Sequence, residues 1–283
     1  MTYDILCISG AGIKIINILG LLHFYNEKIK FLHKIKIFSG TSAGSIICCL
    51  LILGYSPIDI LIYFCKNEVN DLFHNISTDN KNFGLFNIEP IKLYFENMII
   101  NKIGFVPTME QFYTLNNKHF ICCSYNLSKD EKIYFDYLKT PEIKVSDAVI
   151  ASCLIPLVFT KFEINQEMFI DGAFFDVFPL EYTINQTNIF DKVLGILVIN
   201  KSEIENTTDY ILKIVSTISN TNINKDFINK LENDDKLDLI RIQSEMNQLY
   251  FYQTKKNRID EFCKSYEILN EFLKNKKKKI KQD

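Results

Sequence analysis

No tryptophan occurs among the 283 residues, and histidine occurs only four times. Eight cysteines are present, including the pairs Cys48-Cys49 and Cys122-Cys123, but none are spaced C-x-x-C. That excludes the usual zinc and redox frameworks and predicts buried, reduced thiols with no metal. Positive charge is not in excess either: 32 Lys and Arg against 34 Asp and Glu leave a formal charge of −2. A globally basic nucleic-acid binder is therefore excluded, because neutralising phosphates needs a concentrated positive face. The longest uninterrupted apolar run, residues 46–53, is short of the about 20 residues that span a bilayer. No basic leader precedes the first apolar residues, where Asp4 is the first charge, so a secretory signal is not expected. The expectation is an intracellular, cytoplasmic protein with no transmembrane helix. Internal repeats and low-complexity linkers are also missing.

What is present is an ordinary globular composition, 47% hydrophobic and 23% charged. The length suits one α/β unit with a modest appendage, divided here as residues 1–255 and a C-terminal helix with a Lys-rich tail over 256–283. Residues 3–9 read as a buried strand ending in Gly10-Ala11-Gly12, after which Ile15, Ile18, Leu19 and Leu22 recur at helical spacing. The unit repeats. The apolar residues 35–38 meet a second turn, Gly40-Thr41-Ser42-Ala43-Gly44, followed by an apolar helix that Gly54 can close. Ser56-Pro57 with Asp59 then has the form of an N-cap, a first-turn proline and a carboxylate at a helix start.

Residues 67–118 carry Asn-rich loops and a short helix over 88–97. Strands are expected at 119–124, 132–135, 168–170 and 193–199, and a helix at 146–153 stopped by Pro156. After about residue 220 the chain reads as more helical, and Phe262, Tyr266, Leu269 and Leu273 form an apolar stripe. Alternating strands and helices predict a three-layer α/β sandwich with a mainly parallel central sheet, whose sites lie at the carboxyl ends of its strands.

The second turn fits G-x-S-x-G, where a tight strand-to-helix turn exposes a serine hydroxyl and small neighbours (Gly40, Thr41, Ala43, Gly44) avoid a backbone clash. A serine needs a base within hydrogen-bond reach. His23, His33, His74 and His119 all fall away from strand carboxyl ends, so each reads as structural or solvated. Asp171, in Asp171-Gly172-Ala173 after an apolar strand, is the better base, although a plain Asp-Gly turn would look the same in isolation. The first turn, Gly10-Ala11-Gly12-Ile13-Lys14, offers successive amides at a helix start that suit an anion. Neither a Walker loop nor G-x-G-x-x-G fits it, since Gly-Lys-Ser/Thr is missing and Ile15 stands where the third glycine would be.

Taken in order, these three segments resemble the patatin-like phospholipases, which are related to the α/β hydrolases. Weaker echoes are Gly54-Tyr55-Ser56 and Ala151-Ser152 with Pro156 and Phe159, and the resemblance covers roughly residues 3–200. It implies a metal- and cofactor-free lipid acyl hydrolase acting on phospholipid or other acyl esters. Ser42 would be the nucleophile and Asp171 the base. Gly10, Ala11, Gly12, Ile13 and Lys14 would make the oxyanion hole, with Gly172 and Ala173 completing the D-G-A motif. Three departures stand out: Ala11 and Ile15 replace glycines, and Val177 stands where an asparagine is common.

Ala11 and Ile15 keep a second reading open, that of a catalytically weakened protein that binds lipid or a partner. An acyltransferase ranks last, because such enzymes rely on a histidine. The six lysines between residues 274 and 281 are either a solvated tail or a contact for an anionic membrane surface.

Overall fold

A computed structural model describes residues 2–66, 83–187, 190–200, 207–244 and 254–279. Its centre is a run of five parallel strands in the order β10-β9-β1-β2-β4. These are β1 (Ile5–Ile8), β2 (Ile37–Thr41), β4 (His119–Asn126), β9 (Val193–Asn200) and β10 (Leu237–Ser244). Beyond them the sheet turns antiparallel. The last residues of β4 outrun β2, and Ser124–Asn126 pair with β8 (Glu167–Asp171), which pairs in turn with β7 (Glu163–Ile164). β5 (Glu131–Phe135) also pairs antiparallel with β4. A separate two-stranded ribbon joins β3 (Gly84–Phe86) to β6 (Leu157–Phe159).

β1 is fully buried and has a parallel neighbour on each side. Its alternate residues feed opposite layers, as the two-residue period of a strand requires. Leu6 and Ile8 pack with α1 (Ile15–Ile29) and α2 (Ala43–Ile52). Ile5 and Cys7 pack with Leu180 of α7 (Leu180–Asn185) and with Ile228 and Leu231 of α9 (Lys225–Asn233). The result is the expected three-layer sandwich. The chain builds outward from β1 to β2 and β4, then returns to the other side of β1 as β9 and β10. A switch of this kind at β1 opens a crevice at the carboxyl ends of the strands.

The helices follow local chemistry. α3 (Pro57–Phe64) opens with the capping box Ser56/Asp59, in which each side chain satisfies the other residue's amide. α5 (Met109–Asn116) uses Thr108 and Gln111 in the same way. Gly54 follows α2 at φ 81°, the left-handed stop anticipated for it. The helix expected over 88–97 is α4 (Glu89–Ile103), one and a half turns longer, and the one over 146–153 is α6 (Val145–Ser152). α8 (Thr207–Thr221) begins ahead of the region read as helical, and β10 lies inside that region. Residues 67–82, with His74, lie outside the described residues.

The C-terminal α10 (Lys255–Lys279) docks along α1 through Phe262, Ser265 and Leu269, all buried. Tyr266, expected in this stripe, is instead 44% exposed and rests edge-on against Phe24. Lys276, from the Lys-rich end, donates to Asp238, which also accepts Tyr3 Oη at 2.5 Å. Among the described residues no helix is long and apolar enough to cross a membrane. Cys7, Cys48, Cys49, Cys122 and Cys123 are buried as thiols, while Cys263 is exposed.

Candidate active site

Ser42 sits between β2 and α2 with φ 53° and ψ −127°, a left-handed backbone that a non-glycine residue adopts only under constraint. The turn aims the side chain across the carboxyl edge of the sheet. There Ser42 Oγ donates to Asp171 Oδ2 at 2.7 Å. The two residues are 129 positions apart in sequence, and both are buried. Asp171 ends β8, and its other oxygen, Oδ1, accepts the Ala173 amide at 2.8 Å. Burial pushes the Asp171 carboxyl up to about 7, against the pull of the Ser42 hydroxyl and the Ala173 amide. A carboxylate that titrates near neutrality and already holds a hydroxyl proton has the properties of a general base.

The rest of the G-x-S-x-G turn holds this conformation. Thr41 Oγ1 donates to Asp176 O at 2.9 Å, and Ser45 Oγ donates back to Ser42 O at 2.7 Å. Ala43 and Gly44 start α2 and are buried. Gly40 pairs with Ile8 of β1 and with Cys122 of β4, which places the turn at the middle of the sheet.

The glycine-rich segment reaches the same edge from β1. Its residues 12–14 form a short 3-10 turn leading into α1. The Gly10 amide donates to Val177 O at 2.9 Å and the Lys14 amide to Ala11 O at 3.1 Å. Gly10 and Lys14 therefore contribute their amides to structure, and the candidate oxyanion donors narrow to Ala11, Gly12 and Ile13. A Cβ on Gly10 would meet Ala173 Cβ at 3.3 Å and Ser42 Cβ at 3.6 Å, so all three predicted segments converge here. Lys14 is buried; burial, reinforced by the charge of Lys213, brings its ammonium down to about 8.

The departures from the family pattern have a structural reading. Ala11 has φ −143° and ψ −11°, and Ile15 has φ −44° and ψ −36°, both open to residues with side chains. The one position in this turn that needs positive φ is 12, at φ 54°, and it keeps its glycine. Val177 is buried and supplies the carbonyl that takes the Gly10 amide.

The histidines among the described residues lie elsewhere. His119 is at the amino end of β4, level with Ile37, and His33 is exposed before β2. His23 faces Phe24 and Phe262 at the seam between α1 and α10. Reading the sequence missed the hydroxyls that support the pair. Ser152 Oγ accepts the Ser42 amide at 2.8 Å, and the single Ser124 hydroxyl proton is shared between Ala151 O and Ile170 O, each 2.9 Å from Oγ. The Ala151-Ser152 echo was the signal for Ser152, but nothing near Ser124 marked it.

Comparison with known proteins bears on the family and the fold. A sequence profile described as patatin-like phospholipase matches residues 6–184. A probable lipid hydrolase of Invertebrate iridescent virus 6 is 32% identical over 192 residues, covering 66% of this chain and 65% of the viral protein. The chain thus spans just under two thirds of that relative's length. Among solved structures, VipD from Legionella pneumophila is similar with a TM-score of 0.56 and 14% identity, over 96% of this chain and 67% of VipD. ExoU in its complex with SpcU from Pseudomonas aeruginosa gives a TM-score of 0.52 at 14% identity, over 96% of this chain and 51% of that one. At such identities these two structures speak to the fold alone. The profile match extends over more than half of the chain, which therefore belongs to the patatin-like phospholipase family.

Proposed function

We propose that the protein is a lipid acyl hydrolase of phospholipase A type, in which Ser42 is the nucleophile and Asp171 the general base. The observation that carries this reading is the 2.7 Å hydrogen bond from the Ser42 hydroxyl to a buried carboxylate. In the proposed reaction Ser42 Oγ attacks the ester carbonyl carbon as its proton passes to Asp171 Oδ2. The carbonyl oxygen becomes an oxyanion facing the amides of Ala11, Gly12 and Ile13. As the carbon–oxygen bond to the leaving alcohol breaks, Asp171 returns the proton to that oxygen. An acyl-Ser42 ester remains; water attacks its carbonyl carbon as it gives a proton to Asp171, and the bond to Ser42 Oγ then breaks as Asp171 returns that proton to Oγ, releasing the fatty acid.

The substrate class follows from family membership and from the lipid-hydrolase description of the viral relative. Contact with an anionic membrane surface is assigned to the C-terminal lysines beyond Lys276, which is itself engaged by Asp238. The test is fatty-acid release from phospholipid vesicles by the full chain and by Ser42→Ala. Release in the wild type and none in the variant is expected; equal release from both excludes the mechanism.

A further inference from the structure

The strained backbone at Ser42 has to be held by something other than its own helix, because the first amides of a helix have no intrahelical acceptor. The Ser42 amide finds one in the side chain of Ser152, the last residue of α6, at 2.8 Å. The Ser152 hydroxyl proton goes in turn to the Cys123 carbonyl on β4. All three residues are buried, and Ser152 and Cys123 are fully so. Buried in this way, the hydroxyl accepts from the Ser42 amide and donates to the Cys123 carbonyl.

The same short segment also holds the carboxylate. Two residues after Ser152, the Leu154 carbonyl accepts the Asp171 amide at 2.9 Å. The Cys123 carbonyl that receives the Ser152 proton also presses on Gly172, where an added Cβ would stand 2.3 Å from it. Residues 152–154 therefore grip the serine through a side chain and the aspartate through the main chain. Ser124 fastens this grip by sharing its one hydroxyl proton between Ala151 O, immediately before Ser152, and Ile170 O, immediately before Asp171.

We propose that Ser152 is a positioning residue for the Ser42–Asp171 pair. By accepting the Ser42 amide and donating to Cys123 O, its hydroxyl keeps the turn in the left-handed conformation that presents Ser42 Oγ to Asp171. The role rests on the reading of Ser42 as nucleophile. It predicts a loss in the chemical step rather than in substrate affinity, since Ser152 touches the backbone of the nucleophile and not the lipid.

The test is the rate of covalent labelling of Ser42 by a fluorophosphonate, measured from pH 5 to 9 on the full-length wild type, Ser152→Ala and Ser152→Cys. The alanine variant is expected to label at least about tenfold more slowly, the scale of a nucleophile displaced by a fraction of an ångström. Its acid limb should move to higher pH as Asp171 loses the hydroxyl that lowers its titration. The cysteine variant, with a weaker acceptor of similar shape, should fall between, and vesicle hydrolysis should show reduced kcat at unchanged KM. Should Ser152→Ala not fold, the Ser152→Cys labelling rate and pH limb decide alone. Labelling of either folded variant within twofold of wild type, with an unmoved acid limb, overturns the positioning role and leaves Ser42 as nucleophile. A wild type that does not label at Ser42 overturns both.

Discussion

The Ala173 amide fixes one oxygen of Asp171, at 2.8 Å, and so turns the other toward Ser42. Asp171→Asn preserves this shape. Its Oδ1 keeps the Ala173 amide, and its Nδ2 can donate to the Ser42 hydroxyl, but it cannot take a proton. Hydrolysis is expected to fall by about 10³-fold or more, measured as fatty-acid release. Stability should move the other way. The folded carboxyl titrates near 7 against an ordinary 3.8, so between those values the folded state holds the extra proton, and stability declines as pH rises from about 4 to about 7. The decline has a ceiling of roughly 4 kcal/mol. Asp171→Asn removes it, so the variant should melt above wild type at pH 8 and show a flatter dependence of Tm on pH. An inactive variant that also melts lower at pH 8 would contradict the buried-base account.

Activity should be confined to a narrow pH band. Asp171 accepts a proton only when ionised, which sets an acid limb near 7. The buried Lys14 ammonium, lowered to about 8 by burial and by Lys213, stands in the turn that would face the oxyanion. Its positive charge is lost above that pH, which sets an alkaline limb. Lys14→Arg should abolish the alkaline limb and leave the acid limb in place, because a guanidinium stays protonated throughout. The check is initial rate against pH for both proteins on one vesicle preparation. An alkaline limb that survives in Lys14→Arg would assign it to another group.

Gly172 is required by its neighbour rather than by its own dihedrals. A methyl group there would stand 2.3 Å from Cys123 O and 2.7 Å from Cys123 C, both backbone atoms of an inner strand. Gly172→Ala must therefore push β8 off β4 and carry Asp171 with it. A destabilisation of about 1–3 kcal/mol is expected, together with loss of fluorophosphonate labelling. Denaturant melts and the labelling assay read the two effects separately, and a variant of native stability that labels normally would disprove the close packing.

The three turns of the site were legible because each is a local event. In the first two a buried strand, a run of small residues and a helical period succeed one another within about a dozen positions, and in the third an apolar strand runs into Asp-Gly-Ala. β10 was not legible. Leu237, Leu239, Ile240 and Ile242 serve two faces, while Asp238, Arg241 and Gln243 interrupt the run as an edge strand allows, so the pattern lacks a clean period. The C-terminal stripe was misread for a similar reason. Gly20 brings α1 so near that a Cβ there would lie 2.3 Å from Phe262 O, and the seam takes the small Ser265 where hydrophobicity alone selects Tyr266. The role of Ser152 depends on an amide 110 residues away, and no local window contains it.

One lysine of the Lys-rich end is tied into the fold. Lys276 is half-buried and bonded to Asp238, which also takes Tyr3 Oη and lies 3.6 Å from Lys192 Nζ. Its charge is used inside the fold, tying α10 to the amino edge of the sheet. Lysines 277, 278, 279 and 281 follow it in sequence. A membrane surface with anionic lipids attracts each nearby lysine by about 1 kcal/mol, and salt screens that attraction. Replacing these four by serine should weaken binding to anionic vesicles and remove most of its salt dependence, with Tm unchanged. Lys276→Met should do the reverse, lowering Tm while leaving vesicle binding near wild type. Co-sedimentation at low and high salt, paired with thermal melts, separates the two. If the fourfold variant binds as tightly as wild type at low salt, the tail plays no part in membrane contact.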